Sequence, residues 1–282
     1  MCGIVGYVGH RSAVEVILSG LRRLEYRGYD SAGIAVIRDG ALACVKSEGK
    51  LAALSGRIEQ LPKDCRIGIG HTRWATHGAP NEMNAHPHLD APGKIAVVHN
   101  GIIENFAELR ASIEAEGVVF RSETDTETLA HLIRRHYRGD LVAAVRAALK
   151  EVSGAYALGV VCADHPGLIV AARQGSPLIL GLGEGEAFIA SDVPAIMKYT
   201  RNVVYIEDGQ VCAVRCEGSE ITDLMGTRQA MKVSVVDWDD EAAEKGGYPH
   251  FMLKEIHEQP RAILNTLSSR ARRGSEIGRA HV

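Results

Sequence analysis

The sequence predicts an α+β fold in which antiparallel sheets are covered by helices. Strand-like segments follow one another from residue 155 to residue 214, with one short helical interruption near residue 195. Such runs are typical of antiparallel sheets with helices on their outer faces. Nearer the N-terminus, Asp39-Gly40 separates two strand-like runs, and this dipeptide favours a hairpin turn with positive φ at both central residues. The length of 282 residues allows one large domain or two small ones.

Composition and charge favour a soluble, globular protein of the cytoplasm. Hydrophobic residues make up 46% of the chain, charged residues 24%, and the formal net charge is −3. That charge provides no basic field for nucleic acid, and no apolar run approaches the roughly 18 residues that a membrane helix needs. The N-terminus lacks the basic region of a signal peptide, so the six cysteines are expected to be reduced. We therefore expect neither a nucleic-acid partner nor membrane association.

The N-terminal segment has unusual chemistry. Cys2 directly follows Met1, so removal of the methionine leaves a thiol and a free α-amine on one residue. An α-amine titrates near ~7.7 to 8.0, and at neutral pH a useful fraction can accept the thiol proton. The apolar residues 4–8 predict a strand that anchors this terminus in the core. Cys2 is thus a candidate nucleophile, although a cysteine at this position is more often incidental.

Apolar periodicity predicts helices with recognisable starts and ends. The periodic segments are residues 14–24, 106–113, 122–133, 141–151 and 251–267. Ser12 and Asn105 are the expected N-caps of the first two, and Gly117 closes the second. Thr124 and Glu127 have the spacing of a capping box. The last segment is interrupted by Pro260 and follows a stretch that becomes polar and irregular after residue 228.

Residues 66–101 form a second region with unusual chemistry. One strand leads into His71-Thr72-Arg73-Trp74-Ala75-Thr76-His77-Gly78, and a later strand ends in His99-Asn100-Gly101. Loops that gather Arg, Trp, Thr and His at strand ends favour a binding site over a connector. Taken one position at a time, the simpler interpretations are that Trp74 is a core or surface-capping aromatic and that Arg73 is a solvated charge.

Metal binding is the alternative use of this region. Its histidines could converge on an ion: His71, His77, His86, His88 and His99. No acidic residue lies among them at a recognised ligand spacing, so we expect no metal. The Cys212 and Cys216 pair lies on one face of a predicted strand, and we interpret it as core packing.

Five motifs, in order along the chain, resemble those of the class II glutamine amidotransferases, which are N-terminal nucleophile hydrolases. They are residues 2–6, 27–33, 71–78, 99–101 and 122–127. The resemblance implies a four-layer αββα sandwich of two antiparallel sheets flanked by helices. Residues 24–30 and 249–260 look like the branch of the class that transfers the released ammonia to fructose 6-phosphate.

The resemblance also implies the roles of individual residues in the hydrolysis of L-glutamine. Cys2 would attack the side-chain amide, its α-amine serving as the base. The Asn100 side chain and the Gly101 N–H would form the oxyanion hole. Arg73 would clamp the substrate α-carboxylate, and Asp125 would pair with the α-ammonium, although an Asp at a helix start also stabilises the helix dipole. The remaining pocket residues would be Trp74, on a closing loop, with Thr76 and His77. This chemistry requires no cofactor.

The resemblance divides the chain into three parts. Residues 1–240 would be the glutamine amidotransferase type-2 domain, residues 241–273 a linker and the start of a sugar-isomerase region, and residues 274–282 a cloning scar or disordered tail. The rest of the isomerase region, which would use the ammonia, is absent. Three alternatives remain: the glutaminase half of another class II enzyme, a glutamine-binding module without catalysis, and a peptide-cleaving N-terminal hydrolase.

Overall fold

The computed structural model describes residues 2–75, 78–237 and 247–268. The chain divides into two compact units, residues 1–237 and 238–282. None of the helices in the described part of the chain has the length and apolar character that a membrane span requires.

The first of two antiparallel sheets, sheet A, contains the N-terminal strand. Its strands are β1 (Gly3–Val8), β2 (Ser31–Arg38), β3 (Ala41–Glu48), β4 (Ile67–Arg73), β9 (Ile179–Gly183), β10 (Glu186–Ala190), β11 (Asn202–Tyr205) and β15 (Val233–Val235). Their spatial order is β15-β11-β9-β10-β1-β4-β2-β3. The N-terminal strand therefore lies inside the sheet, paired on both sides.

The second sheet, sheet B, contains the strand that ends in the His-Asn-Gly motif. Its strands are β5 (His88–Leu89), β6 (Ile95–Ile103), β7 (Gly154–Cys162), β8 (Ile169–Gln174), β12 (Gln210–Val214), β13 (Glu220–Asp223) and β14 (Arg228–Gln229). Their spatial order is β14-β13-β12-β8-β7-β6-β5. The irregular segment predicted after residue 228 thus contributes a short strand to each sheet.

Helices of the first unit cover the outer faces of both sheets. They are α1 (Ala13–Leu24), α2 (Leu51–Ser55), α3 (Phe106–Glu114), α4 (Asp125–His136) and α5 (Leu141–Leu149). The second unit contains a separate helix, α6 (Phe251–Ser268). Apolar residues of β1, β4, β6 and β10 fill the space between the sheets, among them the fully buried Ile4, Ile69, Val98 and Ile189. A separate core joins sheet B to α4 and α5. The predicted four-layer αββα sandwich is confirmed.

Local signals explain where several of these elements begin and turn. The Ser12 hydroxyl caps α1 by accepting a hydrogen bond from the Glu15 N–H. Asp39 and Gly40 have φ values of 51° and 72°, which is the hairpin predicted between β2 and β3.

The predicted N-cap position at Asn105 is confirmed, but the side chain does not form the usual cap. Asn105 precedes α3, but its side chain makes no capping hydrogen bond. Its amide instead donates to the Glu151 carbonyl and accepts from the Ser153 N–H. The loop before β7 supplies partners that compete with the helix end, and no local pattern reveals that competition.

Candidate active site

Cys2 lies at the start of β1, beside the end of β4. The Trp74 N–H donates a hydrogen bond to Cys2 Sγ at 3.2 Å, and the thiol lies 3.5 Å from the Trp74 carbonyl oxygen. Burial raises the pKa of the Cys2 thiol, an effect that the Trp74 N–H and the Arg73 charge partly oppose. Because the thiolate is the attacking species, a thiol with a raised pKa depends on a nearby base.

Asn100 and Gly101 approach Cys2 from sheet B. The Asn100 Nδ2 donates a hydrogen bond to the Cys2 carbonyl oxygen at 3.1 Å, and Asn100 Oδ1 lies 2.9 Å from His71 Nε2. Gly101 has a φ of 134°, and a Cβ there would lie 2.0 Å from the Ala155 carbonyl oxygen. Only glycine fits this position without a shift of the paired strands.

A cavity of about 260 Å³ lies between these residues. It is lined by Cys2, Arg27, Trp74, Asn100, Gly101, Ile102, Ser176, Pro177 and Ser191. The structure thus brings together four of the predicted site residues. A larger cavity of about 900 Å³, bordered by Lys46, Asp90 and His131, includes none of the predicted site residues.

Arg73 and Asp125 lie outside the lining of the smaller cavity but interact with each other. Arg73 is 4% exposed, and its guanidinium donates to the Ala79 carbonyl at 3.4 Å. Burial lowers the pKa of Arg73, while the charges of Cys2 and Asp125 raise it. The Asp125 carboxylate accepts hydrogen bonds from the Ile103 N–H at 2.9 Å and from the Thr126 hydroxyl at 3.4 Å. Arg73 therefore lies within electrostatic reach of both the Cys2 thiol and the Asp125 carboxylate.

The turn at residues 28–30 supports the end of β4. Asp30 Oδ2 accepts a hydrogen bond from the Ala75 N–H at 2.8 Å, and the Asp30 N–H donates to the Arg73 carbonyl at 3.0 Å. A Cβ on Gly28 would lie 2.9 Å from the backbone of Arg73 and Trp74. The sequence pattern alone assigns Asp30 no role, because Arg73 and Ala75 lie more than forty residues away along the chain.

Three residues assigned roles lie outside the described residues. They are Met1, whose removal would expose the α-amine, together with Thr76 and His77 of the predicted pocket. Arg27 and Ser191, which line the cavity, were not predicted as site residues. Arg27 forms an ion pair with Asp192 at 3.0 Å, and Ser191 Oγ accepts from the Ile4 N–H at 3.0 Å.

Four histidines form a buried cluster beneath the site: His71, His86, His88 and His99. The His71 and His86 rings have centroids 4.2 Å apart, and those of His86 and His88 lie 4.8 Å apart. Burial lowers the pKa of all four, that of His71 to about 3, so the rings are neutral at physiological pH.

Hydroxyl groups of α4 and its N-cap bind the other three rings of this cluster. The Thr126 hydroxyl lies 2.8 Å from His86 Nε2 and 3.0 Å from His99 Nδ1, and the Thr124 hydroxyl lies 3.0 Å from His88 Nε2. Within the residues that the structure describes, no group of His, Cys, Asp or Glu has the arrangement of a metal site. Each of the four rings has a hydrogen-bonding side chain as a neighbour: Asn100 for His71, Thr126 for His86 and His99, and Thr124 for His88.

Comparisons with known proteins identify the family. A profile described as "Glutamine amidotransferase domain" matches residues 71–198. A protein of Thermus thermophilus named glutamine–fructose-6-phosphate aminotransferase (isomerizing) is 60% identical over 272 residues, covering 96% of this chain and 45% of the relative. The chain belongs to the glutamine amidotransferase family. A protein with the same name from Symbiobacterium thermophilum is 56% identical over 270 residues, covering 96% of this chain and 44% of the relative.

Solved structures agree with this family assignment. This chain superposes on glutamine phosphoribosylpyrophosphate amidotransferase from B. subtilis, complexed with ADP and GMP, with a TM-score of 0.68. The two sequences are 28% identical, and the match covers 79% of this chain and 49% of that chain. A second structure, described as the allosteric regulatory enzyme of purine biosynthesis, gives a TM-score of 0.70 at 27% identity over the same shares. The predicted family and fold class are confirmed. The chain spans less than half the length of the curated relatives that it matches.

Proposed function

We propose that this chain hydrolyses L-glutamine to glutamate and ammonia, with Cys2 as the nucleophile. The observation that carries the proposal is the meeting of the Cys2 thiol, the Asn100 amide and the Gly101 backbone around one cavity. A nucleophile and preorganised hydrogen-bond donors at one point suit acyl transfer through a tetrahedral intermediate. The family assignment supports glutamine as the acyl donor.

The proposed reaction has two stages. After removal of Met1, the α-amine of Cys2 accepts the thiol proton, and the thiolate attacks the side-chain amide carbon of glutamine. Asn100 Nδ2 and the Gly101 N–H donate to the resulting oxyanion. The α-ammonium then returns its proton to the departing ammonia, leaving a thioester on Cys2. Water, deprotonated by the same amine, hydrolyses that thioester to glutamate and restores the thiol.

Arg73 and Asp125 would recognise the amino-acid backbone of the substrate. The planar guanidinium of Arg73 suits a carboxylate, because its donors form two parallel hydrogen bonds. Asp125 carries the opposite charge, which suits the α-ammonium group. Trp74, 44% exposed at the cavity, would belong to a loop that closes over the pocket, and Thr76 and His77 would complete the pocket.

We further propose a context in a longer protein of the cytoplasm. The relatives are named as aminotransferases that use fructose 6-phosphate, and more than half of their length lies outside the match. Residues 1–240 would form the glutaminase domain, and residues 241–273 would lead into a sugar-isomerase region that aminates fructose 6-phosphate to glucosamine 6-phosphate. The ammonia would then be consumed within the same protein.

The first test concerns the N-terminal amine. Protein whose intact mass shows a free Cys2 is compared with protein carrying a short uncleaved extension before Cys2. We expect the extension to abolish glutamate release while glutamine binding remains measurable, because the extension removes the base and leaves the pocket. A Cys2→Ala variant should also be inactive, and a Cys216→Ala variant should retain full activity. Full activity in protein that retains Met1 would contradict the mechanism.

The second test concerns the sugar. The 282-residue chain is incubated with glutamine, with and without fructose 6-phosphate, and glutamate and glucosamine 6-phosphate are measured in parallel. We expect glutamate in both samples, amino sugar in neither, and no rate increase with the sugar, because coupling needs a second binding site. Amino-sugar formation would place the sugar site within this chain. Glutamine binding without glutamate release would instead favour a glutamine-binding module.

A further inference from the structure

We propose that His71 is a positioning residue, which holds the Asn100 amide in the one orientation that can stabilise the oxyanion. The inference rests on the proposed glutamine hydrolysis. His71 lies on β4 of sheet A, and Asn100 lies on β6 of sheet B. Their side chains meet at 2.9 Å between His71 Nε2 and Asn100 Oδ1, next to the cavity.

The orientation of the Asn100 amide follows from its two contacts. The Cys2 carbonyl oxygen, 3.1 Å from one end of the amide, can only accept a hydrogen bond. That end must therefore be the NH₂ group, since an oxygen there would face another oxygen. The opposite end is then Oδ1, which also only accepts, so His71 Nε2 must carry a proton and donate it.

The tautomer of His71 follows in turn. Burial lowers the pKa of His71 to about 3, so the ring carries one proton at neutral pH, and Nε2 holds it. Nδ1 is then an unprotonated nitrogen; it makes no hydrogen bond of ordinary geometry among the described residues, although the His99 backbone lies near enough to the ring to raise its pKa. In this neutral tautomer, His71 Nε2 can donate a hydrogen bond to Asn100 but cannot accept one.

This donor matters to the reaction because the amide has two opposite ends. Nδ2 carries two N–H groups, and the Cys2 carbonyl accepts from one of them, which leaves the second for the cavity. Rotation of the amide by 180° would present an oxygen to the developing negative charge and turn an attraction into a repulsion. The Cys2 carbonyl and His71 oppose that rotation from two sides. A donor that needs no reorientation is what preorganised oxyanion stabilisation requires.

A purely structural role for His71 is the competing explanation. The ring is fully buried and packs against His86 with centroids 4.2 Å apart, so any substitution disturbs the core. The two roles differ in which kinetic constant changes. Loss of packing reduces the folded fraction, whereas loss of Asn100 positioning lowers kcat with little change in KM.

The kinetic test compares His71→Phe with His71→Gln. Phenylalanine keeps a flat buried ring without a donor, and glutamine offers an N–H to Asn100 Oδ1. We expect His71→Phe to lower kcat at least tenfold, up to the roughly 10²- to 10³-fold cost of a whole oxyanion donor, with KM nearly unchanged. We expect His71→Gln to recover most of that loss. The γ-semialdehyde of L-glutamate, which forms a thiohemiacetal on Cys2, should bind His71→Phe more weakly by the same factor, and product glutamate should bind as before.

A double-mutant comparison shows whether His71 acts through Asn100. Adding His71→Phe to Asn100→Ala should cause no further loss of kcat beyond that of Asn100→Ala alone. Independent, multiplying losses would overturn the proposal. So would equal kcat values for wild type and folded His71→Phe. If wild-type protein with a free Cys2 released no ammonia, the proposed function itself would fail, and the two failures are thus distinguishable.

A measurement on the wild-type protein tests the proposal without any need for the variants to fold with full activity. Nitrogen NMR of histidine-labelled protein at neutral pH reports which ring nitrogen carries the proton, and the His71→Gln spectrum assigns the signal. We expect a protonated Nε2 and a bare Nδ1. A neutral ring with its proton on Nδ1 would overturn the proposal, because it could not donate to Asn100.

Discussion

Trp74 makes its closest contact with Cys2 through its backbone, and its ring serves a different neighbour. Its N–H donates to Cys2 Sγ at 3.2 Å, while its indole packs edge-on against Tyr29 with centroids 5.5 Å apart. One residue therefore joins the N-terminal cysteine to the turn at residues 28–30. A substitution at position 74 retains the backbone contact with the thiol and removes only the ring.

At the same scale, Arg73 and Asp125 can be tested separately from the nucleophile. We expect Arg73→Ala and Asp125→Ala each to raise KM for glutamine strongly, because loss of one partner of a desolvated charge pair costs about 2 to 5 kcal/mol. Arg73→Lys should recover little, since it lacks the planar fork of donors. Steady-state glutaminase kinetics, with melting curves to verify folding, measure the effect. Exposed Arg22→Ala is the control, and normal KM values in both Ala variants would contradict the pocket assignment.

At the scale of secondary structure, the site is assembled from both sheets. β1 brings Cys2 and β4 brings His71 from sheet A, whereas β6 brings Asn100 from sheet B. The hydrogen bonds from Asn100 to the Cys2 carbonyl and from His71 to Asn100 therefore connect the two layers. The relative placement of the sheets determines the catalytic geometry.

Gly101 of β6 has two roles, since it pairs with β7 and its N–H is the proposed second donor to the oxyanion. A Cβ there would lie 2.0 Å from the carbonyl of Ala155 on β7, and the φ of 134° disfavours any L side chain. We expect Gly101→Ala to destabilise the fold by about 1 to 3 kcal/mol and to lower kcat, because the strand must shift. Gly167→Ala, with no atom within 4 Å of its Cβ, should change stability by less than roughly 0.5 kcal/mol. Urea unfolding and glutaminase rates measure both effects, and an unchanged Gly101→Ala would refute the geometry.

At the scale of the whole molecule, the buried histidine cluster defined above makes folding sensitive to acid. Each ring is neutral in the folded state because burial lowers its pKa, with that of His71 reaching about 3. In the unfolded chain the same rings titrate near ~6.5. Below that pH the unfolded state binds more protons than the folded state, so protons favour unfolding.

We therefore expect the free energy of unfolding to be highest above about pH 6.5 and to fall as the pH decreases toward the folded pKa values. Each such histidine contributes a slope approaching about 1.4 kcal/mol per pH unit below its unfolded pKa. Urea unfolding between pH 6 and pH 5 isolates the histidines, because Glu127, whose pKa is lowered to about 2, loses its contribution only at lower pH. A His71→Gln variant should have a shallower slope. A slope of zero in wild-type protein would show that the rings are already protonated when folded.

The sequence by itself determined the features that depend on local chemistry. The thiol beside a prospective α-amine, the Asp39-Gly40 turn, the Ser12 cap and the order of strands and helices all depend on neighbouring residues. Side-chain period and turn conformation act over a few residues, so they can be interpreted without knowing the fold. The family resemblance then implied the layer order that the structure has.

Only the tertiary structure decided which distant residues meet. Cys2 and Trp74 are 72 positions apart, and Asn100 reaches the Cys2 carbonyl from a separation of 98. Three contacts could not be predicted from the sequence. They are the hydrogen bond between Asp30 and Ala75, those of the Asn105 side chain with Glu151 and Ser153, and the one between His71 and Asn100. Such contacts depend on strand order and on how two sheets stack. No local period specifies either one, because hydrophobic packing determines both only when the whole chain folds.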